Sequence, residues 1–268
     1  MNKRQKYIES KELQQQEKIL LGIMDKDSSL FIFDIGACEG ESSVRYHRLF
    51  PNATIYSFEP LPSNFDLVKK NIDEYNAQQH IFPFQCCLSD KQDELTFYVS
   101  SGKPEGSSDE NWDYGNKSSS LLPPSRTIDI HPWLKFNQEI KVHSNTLEQF
   151  CMSNNIERID FIHMDVQGAE LLVLKGAGDF LRHINMVWLE VEAIELYKEQ
   201  PLKEDVEDFM ITNGFIKLED TVYTVAGDQL WVKKDFILAK KGFFYIWNRS
   251  VFSSLKKVYK KMRRKLLS

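Results

Sequence analysis

Little in this sequence could staple a small fold, cross a bilayer or cradle a pyrophosphate. The four cysteines among 268 residues, Cys38, Cys86, Cys87 and Cys151, include no C-x-x-C pair and have no partnering histidine tract. That excludes a disulfide scaffold and a zinc ribbon and leaves reduced, buried thiols. No uncharged apolar run approaches the roughly 18 residues of a membrane span. The first residues, MNKRQKYIESKELQQQ, have no apolar stretch for export, so the expectation is a protein made and kept in the cytosol. No internal repeat occurs. With 42% apolar and 27% charged residues the chain is instead ordinary globular material, long enough to bury a full core.

The net charge of -5 conceals a division. From Lys233 to Ser268 there are 12 Lys and Arg against Asp235 alone, and the remainder holds 22 basic against 38 acidic residues. An acidic body is a poor nucleic-acid binder, because affinity for phosphate backbones rests on clustered Lys and Arg.

Residues 5 to 24 read as one polar helix, with Ile19, Leu20 and Ile23 on one side, packing as a lid or cap. Strand-like runs then alternate with helical stretches: 31 to 35, a helix 42 to 49, 54 to 58, a helix 63 to 75, and 81 to 86. Residues 94 to 100 and 139 to 144 look like extra strands bracketing an insertion. The alternation resumes at 159 to 166, with a helix 169 to 181, a strand 186 to 192, a helix 203 to 213 and a strand 215 to 223. Gly227-Asp228 signals a turn before a last strand, 229 to 234, predicting an antiparallel hairpin. This rhythm belongs to a parallel α/β sheet covered on both faces. Three segments follow: a helical cap (1–27), a catalytic domain (28–236) with an insertion at about 101–138, and a basic tail (237–268). Within the insertion and just after it, Trp112, Tyr114 and Trp133 offer aromatic faces to a sugar ring or simply pack the loop.

FIFDIGACEGESS puts Asp34 at a strand end, Gly36 and Gly40 in a turn, and polar residues at a helix start, a unit that brings backbone close to a ligand. In G-x-G-x-x-G terms, Cys38 stands at the second glycine and Glu41 at the third, which weakens a dinucleotide reading. Glu39 and Glu41 would also repel a pyrophosphate. A cofactor carrying a sulfonium and an ammonium suits these surroundings; a plain tight turn is the alternative. Glu59 ends the second strand, where a carboxylate accepts ribose hydroxyls or stays solvated. Ser89-Asp90 follow the third, and Asp90 either accepts from an adenine amine or caps a turn.

The series DIGACEGESS, SFEP, LSD, NTLEQF and above all IDFIHMDVQGAELLVLKGA resembles the motifs of FkbM-type S-adenosylmethionine-dependent methyltransferases, over residues 30 to 235 or so. The resemblance implies a class I methyltransferase (Rossmann-like) α/β fold, a seven-stranded, mostly parallel sheet with an antiparallel final hairpin. It implies S-adenosyl-L-methionine as cofactor, held by Asp34, Gly36, Ala37, Gly40, Glu59 and Ser89 with Asp90 near the adenine. The acceptors it implies are hydroxyls of sugars, cell-envelope glycan precursors or polyketide-type products. His163 departs from a frequent Lys, and Glu192 from a common His.

Methyl transfer to an alcohol needs an aligned acceptor oxygen and a base beside the methyl group. Ligands of open α/β sheets sit at the carboxyl ends of the strands, which here carry Asp165, Gln167, Glu170, Glu190 and Glu192. Asp165 is the first candidate base. His163 shares its strand face and is the second, or else a buried hydrogen-bonded histidine. Glu190 is the third. Glu170 either belongs to this acidic cluster or is accounted for by the helix dipole alone. Asp165 and Glu190 holding a divalent cation is the alternative, although no metal is expected. Competing functions are a non-catalytic module retaining the fold and a nicotinamide oxidoreductase.

In the tail, Phe244, Trp247, Val251, Leu255, Val258, Met262 and Leu266 form one helical stripe amid Lys256, Lys257, Lys260, Lys261, Arg263, Arg264 and Lys265. Residues 243–268 therefore either lie on the inner face of a membrane or dock on the acidic body or a second subunit of a homo-oligomer. For the membrane reading, each cation near anionic lipid contributes about 1 kcal/mol. Liposome flotation is expected to require anionic lipid, to weaken with salt and to vanish on truncation after Lys241. Salt-insensitive failure to float, with truncation causing insolubility or loss of a dimer, would assign the stripe to packing.

Overall fold

The computed structural model describes residues 1–107 and 114–239, so the basic stripe and Trp112 lie outside the described residues. Seven strands form the main sheet: β1 (Phe31–Ile35), β2 (Thr54–Phe58), β3 (Ile81–Phe84), β7 (Phe161–Met164), β8 (Met186–Glu192), β9 (Phe215–Asp220) and β10 (Ala226–Lys233). Their order is β3-β2-β1-β7-β8-β10-β9, with β10 antiparallel to both its neighbours and the other pairings parallel. This is the class I methyltransferase sheet. A second sheet, β4 (Cys87–Leu88), β5 (Glu94–Ser101) and β6 (Lys135–Asn145), stands beside it in the order β4-β6-β5.

Side-chain alternation divides the core in two. Ile32, Phe161, Trp188 and Leu230 face α2 (Gln15–Ile23), α3 (Glu41–Leu49), α4 (Pro62–Glu74) and α9 (Lys234–Ala239). Phe33, Ile162, Leu189 and Trp231 face α6 (Leu147–Ser153), α7 (Glu170–Lys175) and α8 (Lys203–Thr212). With both faces covered, the strands are near-continuous apolar runs, which is why they are readable in sequence. No described helix is long and apolar enough to cross a membrane.

Three local expectations change. Residues 5 to 24 form two helices, α1 (Lys3–Glu9) and α2, because Arg45 and Arg48 donate to the carbonyls of Tyr7, Ile8 and Glu12, groups a continuous helix would keep for itself. Moreover, α2 is part of a core layer. The helix expected at 169 to 181 stops at Lys175 and continues as a 3-10 turn, Gly178–His183. Gly178 has φ +48°, and Gly176 lies so close to the Ser89 carbonyl that a Cβ would sit 2.0 Å from its oxygen. Finally, Gly227 and Asp228 are inside β10, paired with Val191 and Glu190, and the chain turns earlier, between Asp220 and Ala226. Gly227 answers a close approach to the Thr221 carbonyl, not a turn.

The strand β6 starts at Lys135, within the stretch assigned to the insertion. From the β5 end the chain returns through Gly115–Lys117, pairs Ser120 with Tyr98 and Pro124 with Tyr197, and forms α5 (Thr127–Ile130).

The cap is anchored by one buried ion pair, Arg45 with Glu17, at 2.5 Å and with side chains 4% and 2% exposed. Removing one partner strands the other charge. Glu17→Ala is expected to cost about 3 to 5 kcal/mol in urea unfolding, and a Glu17→Leu/Arg45→Met double variant should recover part of that loss.

Candidate active site at the carboxyl ends of the strands

The chain runs outward from β1 to β3 and then, after an excursion, from β7 to the other edge. The switch point therefore lies between β1 and β7, where open α/β sheets bind ligands. Two loops meet there. Gly36, at φ +80°, is pressed on the segment after β7, so that a Cβ would fall 1.9 Å from the Asp165 carbonyl oxygen.

The turn's own amides are already engaged. Those of Gly36 and Ala37 donate to the Phe58 carbonyl, Cys38 to Glu59 Oε2 at 2.8 Å, Glu39 to Glu41 Oε2 at 3.2 Å, and Gly40 to the Ala37 carbonyl. A turn so satisfied has no free N–H row for a pyrophosphate. The repulsion expected from Glu39 and Glu41 is not the reason, since Arg4 pairs with Glu39 and Lys117 with Glu41. Asp34, the last acidic residue of β1, accepts from Ser43 Oγ at 2.5 Å and meets His163 Nδ1 at 3.2 Å.

Two clefts open from this point. The first, about 530 Å³ including open solvent, lies between apolar side chains, Ile35, Phe58, Leu88 and Phe97, and the polar Glu59 and Asn64. Glu59 Oε1 also accepts from the Leu61 amide at 2.9 Å, leaving each carboxylate oxygen one further acceptor site. Burial pushes this carboxyl up to about 8 against its two backbone donors. The second cleft, about 840 Å³ including open solvent, is walled by Tyr7, Asp34, Glu41, Ser42 and His163. Gly36, Cys38, Lys117 and Asp165 line both.

At the far wall the acidic residues gather as the sequence suggests. Gln167, at φ +55°, donates to Asp165 Oδ1 at 2.7 Å and to Glu190 Oε2 at 2.6 Å. Asp228 stands opposite Glu190 in the β8–β10 register. Burial, then the Asp165 charge, push Glu190 well above the usual carboxylate range, and the same two causes hold Glu192 at about 7. Glu170 is raised by burial and by Glu192, with the Val166 amide donating to it at 2.9 Å. Burial opposes charge on His163, but the hydrogen bond and charge of Asp34, with Asp165 and Asp228 beyond, raise it overall. Among the described residues no group of three or more His, Cys, Asp and Glu is arranged to hold a metal ion.

A methyltransferase FkbM domain matches residues 34–217. The chain belongs to the FkbM methyltransferase family. It is 30% identical over 185 residues to 2-O-methyltransferase NoeI of Sinorhizobium fredii, covering 69% of this chain and 72% of the relative. It is 24% identical over 214 residues to hexuronic acid methyltransferase AglP of Haloferax volcanii, covering 74% and 76%. Among solved structures, a methyltransferase FkbM from Methylobacillus flagellatus superposes with a TM-score of 0.47 at 15% identity, over 79% of this chain and 45% of that one.

In this methyltransferase the residues expected around the cofactor divide. Asp34, Gly36 and Ala37 line the clefts, Glu59 stands in their wall, and Gly40 caps α3 at φ +78°. Ser89 and Asp90 are not among the lining residues: Ser89 is buried against Gly176, Asp90 is exposed, and Cys87 and Leu88 take the wall position. Asp165, His163 and Glu190 do come together. Sequence reasoning missed Asn64, Asn116, Lys117 and Tyr197, whose only signal is a polar loop or helix position, and it read Asp228 as a turn.

The raised Glu59 carboxyl has a thermodynamic consequence. Between its unfolded value near 4.5 and about 8 the folded state binds more protons than the unfolded one, so stability falls as pH rises across that window. Glu59→Gln is expected to be less stable at pH 5, where its amide faces a backbone N–H. Its fall from pH 5 to pH 8 should be shallower than that of the unsubstituted protein, by up to about 1.4 kcal/mol per pH unit in denaturant titrations.

Proposed function

We propose that the protein is an S-adenosylmethionine-dependent O-methyltransferase whose acceptor is a hydroxyl of a sugar or glycan precursor. The observation that carries this reading is the meeting, at Asp165, of an apolar cleft holding Glu59 with an acidic cleft holding Asp34, Glu41 and His163. The donor set fits that cofactor: apolar walls for a purine, a carboxyl with free acceptor sites for a ribose, and, for a sulfonium and an ammonium, the excess of Asp34, Glu41 and Asp165 over Lys117 and His163. Phe58 and Leu88 would flank the base, Glu59 would accept from the ribose, and the Gly36–Ala37 turn would pass beneath the amino-acid end. S-adenosylmethionine, when bound, supplies an electrophilic methyl carbon whose bond to sulfur breaks with its electron pair left on sulfur.

Asp165 is the base on this reading. It is exposed to the junction of the clefts, and Gln167 holds Oδ1 and leaves Oδ2 to take the acceptor's proton as the oxygen–carbon bond forms. Burial pushes Glu190 well above the usual carboxylate range and Asp34 raises His163, so both shifts favour the protonated form. Neither is then a good proton acceptor. The names of the two curated relatives, a 2-O-methyltransferase and a hexuronic acid methyltransferase, support an oxygen acceptor on a sugar. We assign residues 28–236 to the catalytic domain and keep the tail as its candidate membrane contact.

Calorimetry tests the cofactor: S-adenosylmethionine and its demethylated product should bind, with proton release and with affinity rising from pH 6 to pH 8 as Glu59 ionises. Binding of NAD and of neither sulfur nucleotide would sink the proposal. In labelled-methyl transfer to nucleotide sugars and cell-envelope glycans, Asp165→Asn should retain cofactor affinity and lose about 10²- to 10⁴-fold in turnover.

A further inference from the structure

The side-chain amide of Gln167 lies between two carboxyl groups and presents its nitrogen to both. The Gln167 NH₂ group has two N–H bonds, and Asp165 Oδ1 and Glu190 Oε2 take one each. Its oxygen faces the phenol of Tyr197, 3.1 Å away, and that phenol also lies 2.8 Å from the Ser118 carbonyl. The Gln167 carbonyl accepts from Ser120 Oγ at 2.8 Å. Side chain and backbone are thus tied to β8, to the loop after β8 and to the insertion. The backbone itself is left-handed at φ +55°, a conformation that persists in a non-glycine residue only where its surroundings over-determine it.

We propose that Gln167 is a positioning residue for methyl transfer, one that holds Asp165 and Glu190 in a fixed relative orientation and decides which oxygen of Asp165 receives the proton. The proposal rests on the reading of Asp165 as base. The two carboxyl groups crowd one another, and burial with the Asp165 charge already pushes Glu190 up, so a shared donor offsets part of the cost of holding them together. The other groups facing the pair are Glu170 from α7, Glu192 from β8, Asp228 from β10, His163 from β7, Lys117 from the insertion and Tyr197. Three of these six are carboxyl groups, so Gln167 adds donors where acceptors are crowded.

The test is Gln167→Glu, which keeps the shape and replaces the shared donor by a third carboxylate, alongside Gln167→Met, which removes both donors. In Gln167→Glu the acid limb of kcat against pH should move upward by about one pH unit or more, with cofactor affinity within about threefold of the unsubstituted protein. Gln167→Met should move it in the same direction by less. Carboxyl-carbon NMR should report Asp165 titrating higher in both variants, a readout independent of turnover. An unmoved limb and an unmoved Asp165 titration, with kcat and affinity falling together, would overturn the proposal and leave Gln167 a structural residue. If Asp165→Asn were fully active while the titration still moved, the base assignment would fall and the catalytic role of Gln167 with it, leaving only the structural tie between Asp165 and Glu190. An inactive Asp165→Asn with an unmoved titration would keep Asp165 as the base and remove the positioning role from Gln167.

Discussion

The site depends on how closely two neighbouring parallel strands release their chains at the same height. The β1 turn and the segment after β7 touch at Gly36 and the Asp165 carbonyl, with no room for a Cβ between them. Because β1 and β7 flank the switch point, this contact is where the two halves of the sheet diverge and where clefts open on either side. A side chain at position 36 would move Asp165, and with it the junction of both clefts.

Around that contact the protein gathers several carboxylates, and it balances them from within the sheet and from outside it. Arg4 comes from the N-terminal cap, Lys117 from the insertion and His163 from β7 itself. Burial does the rest: Glu59, Glu190 and Glu192 are all raised, so part of the cluster is neutral near pH 7. The cap and the insertion are therefore electrostatic components of the site. The Arg45–Glu17 pair fastens the cap to α3, the helix that follows the Gly36–Gly40 turn.

The alternating apolar runs of the strands were legible because burial on both faces leaves no room for polar residues, and the motif after β7 carried the family. Asp34, Gly36, Glu59, Asp165 and Glu190 could be picked out for the same reason: each stands where an apolar run ends, and a charged residue or glycine there is conspicuous. Breaks inside helices were not legible. What splits residues 5 to 24 is a pair of arginines on α3, distant in sequence, and just past α7 Gly176 is packed on the Ser89 carbonyl.

By itself, then, the sequence determined the sheet, its family and the strand ends where chemistry collects, since periodicity and local motifs encode them directly. Only the tertiary structure decided which of those residues share a cleft. It left Ser89 and Asp90 out of the cleft lining, turned Glu39 and Glu41 into ion-pair partners, and set Gln167 between Asp165 and Glu190. Each of these outcomes depends on a partner from a separate loop or strand, and such long-range pairing leaves no periodic or local trace in the chain.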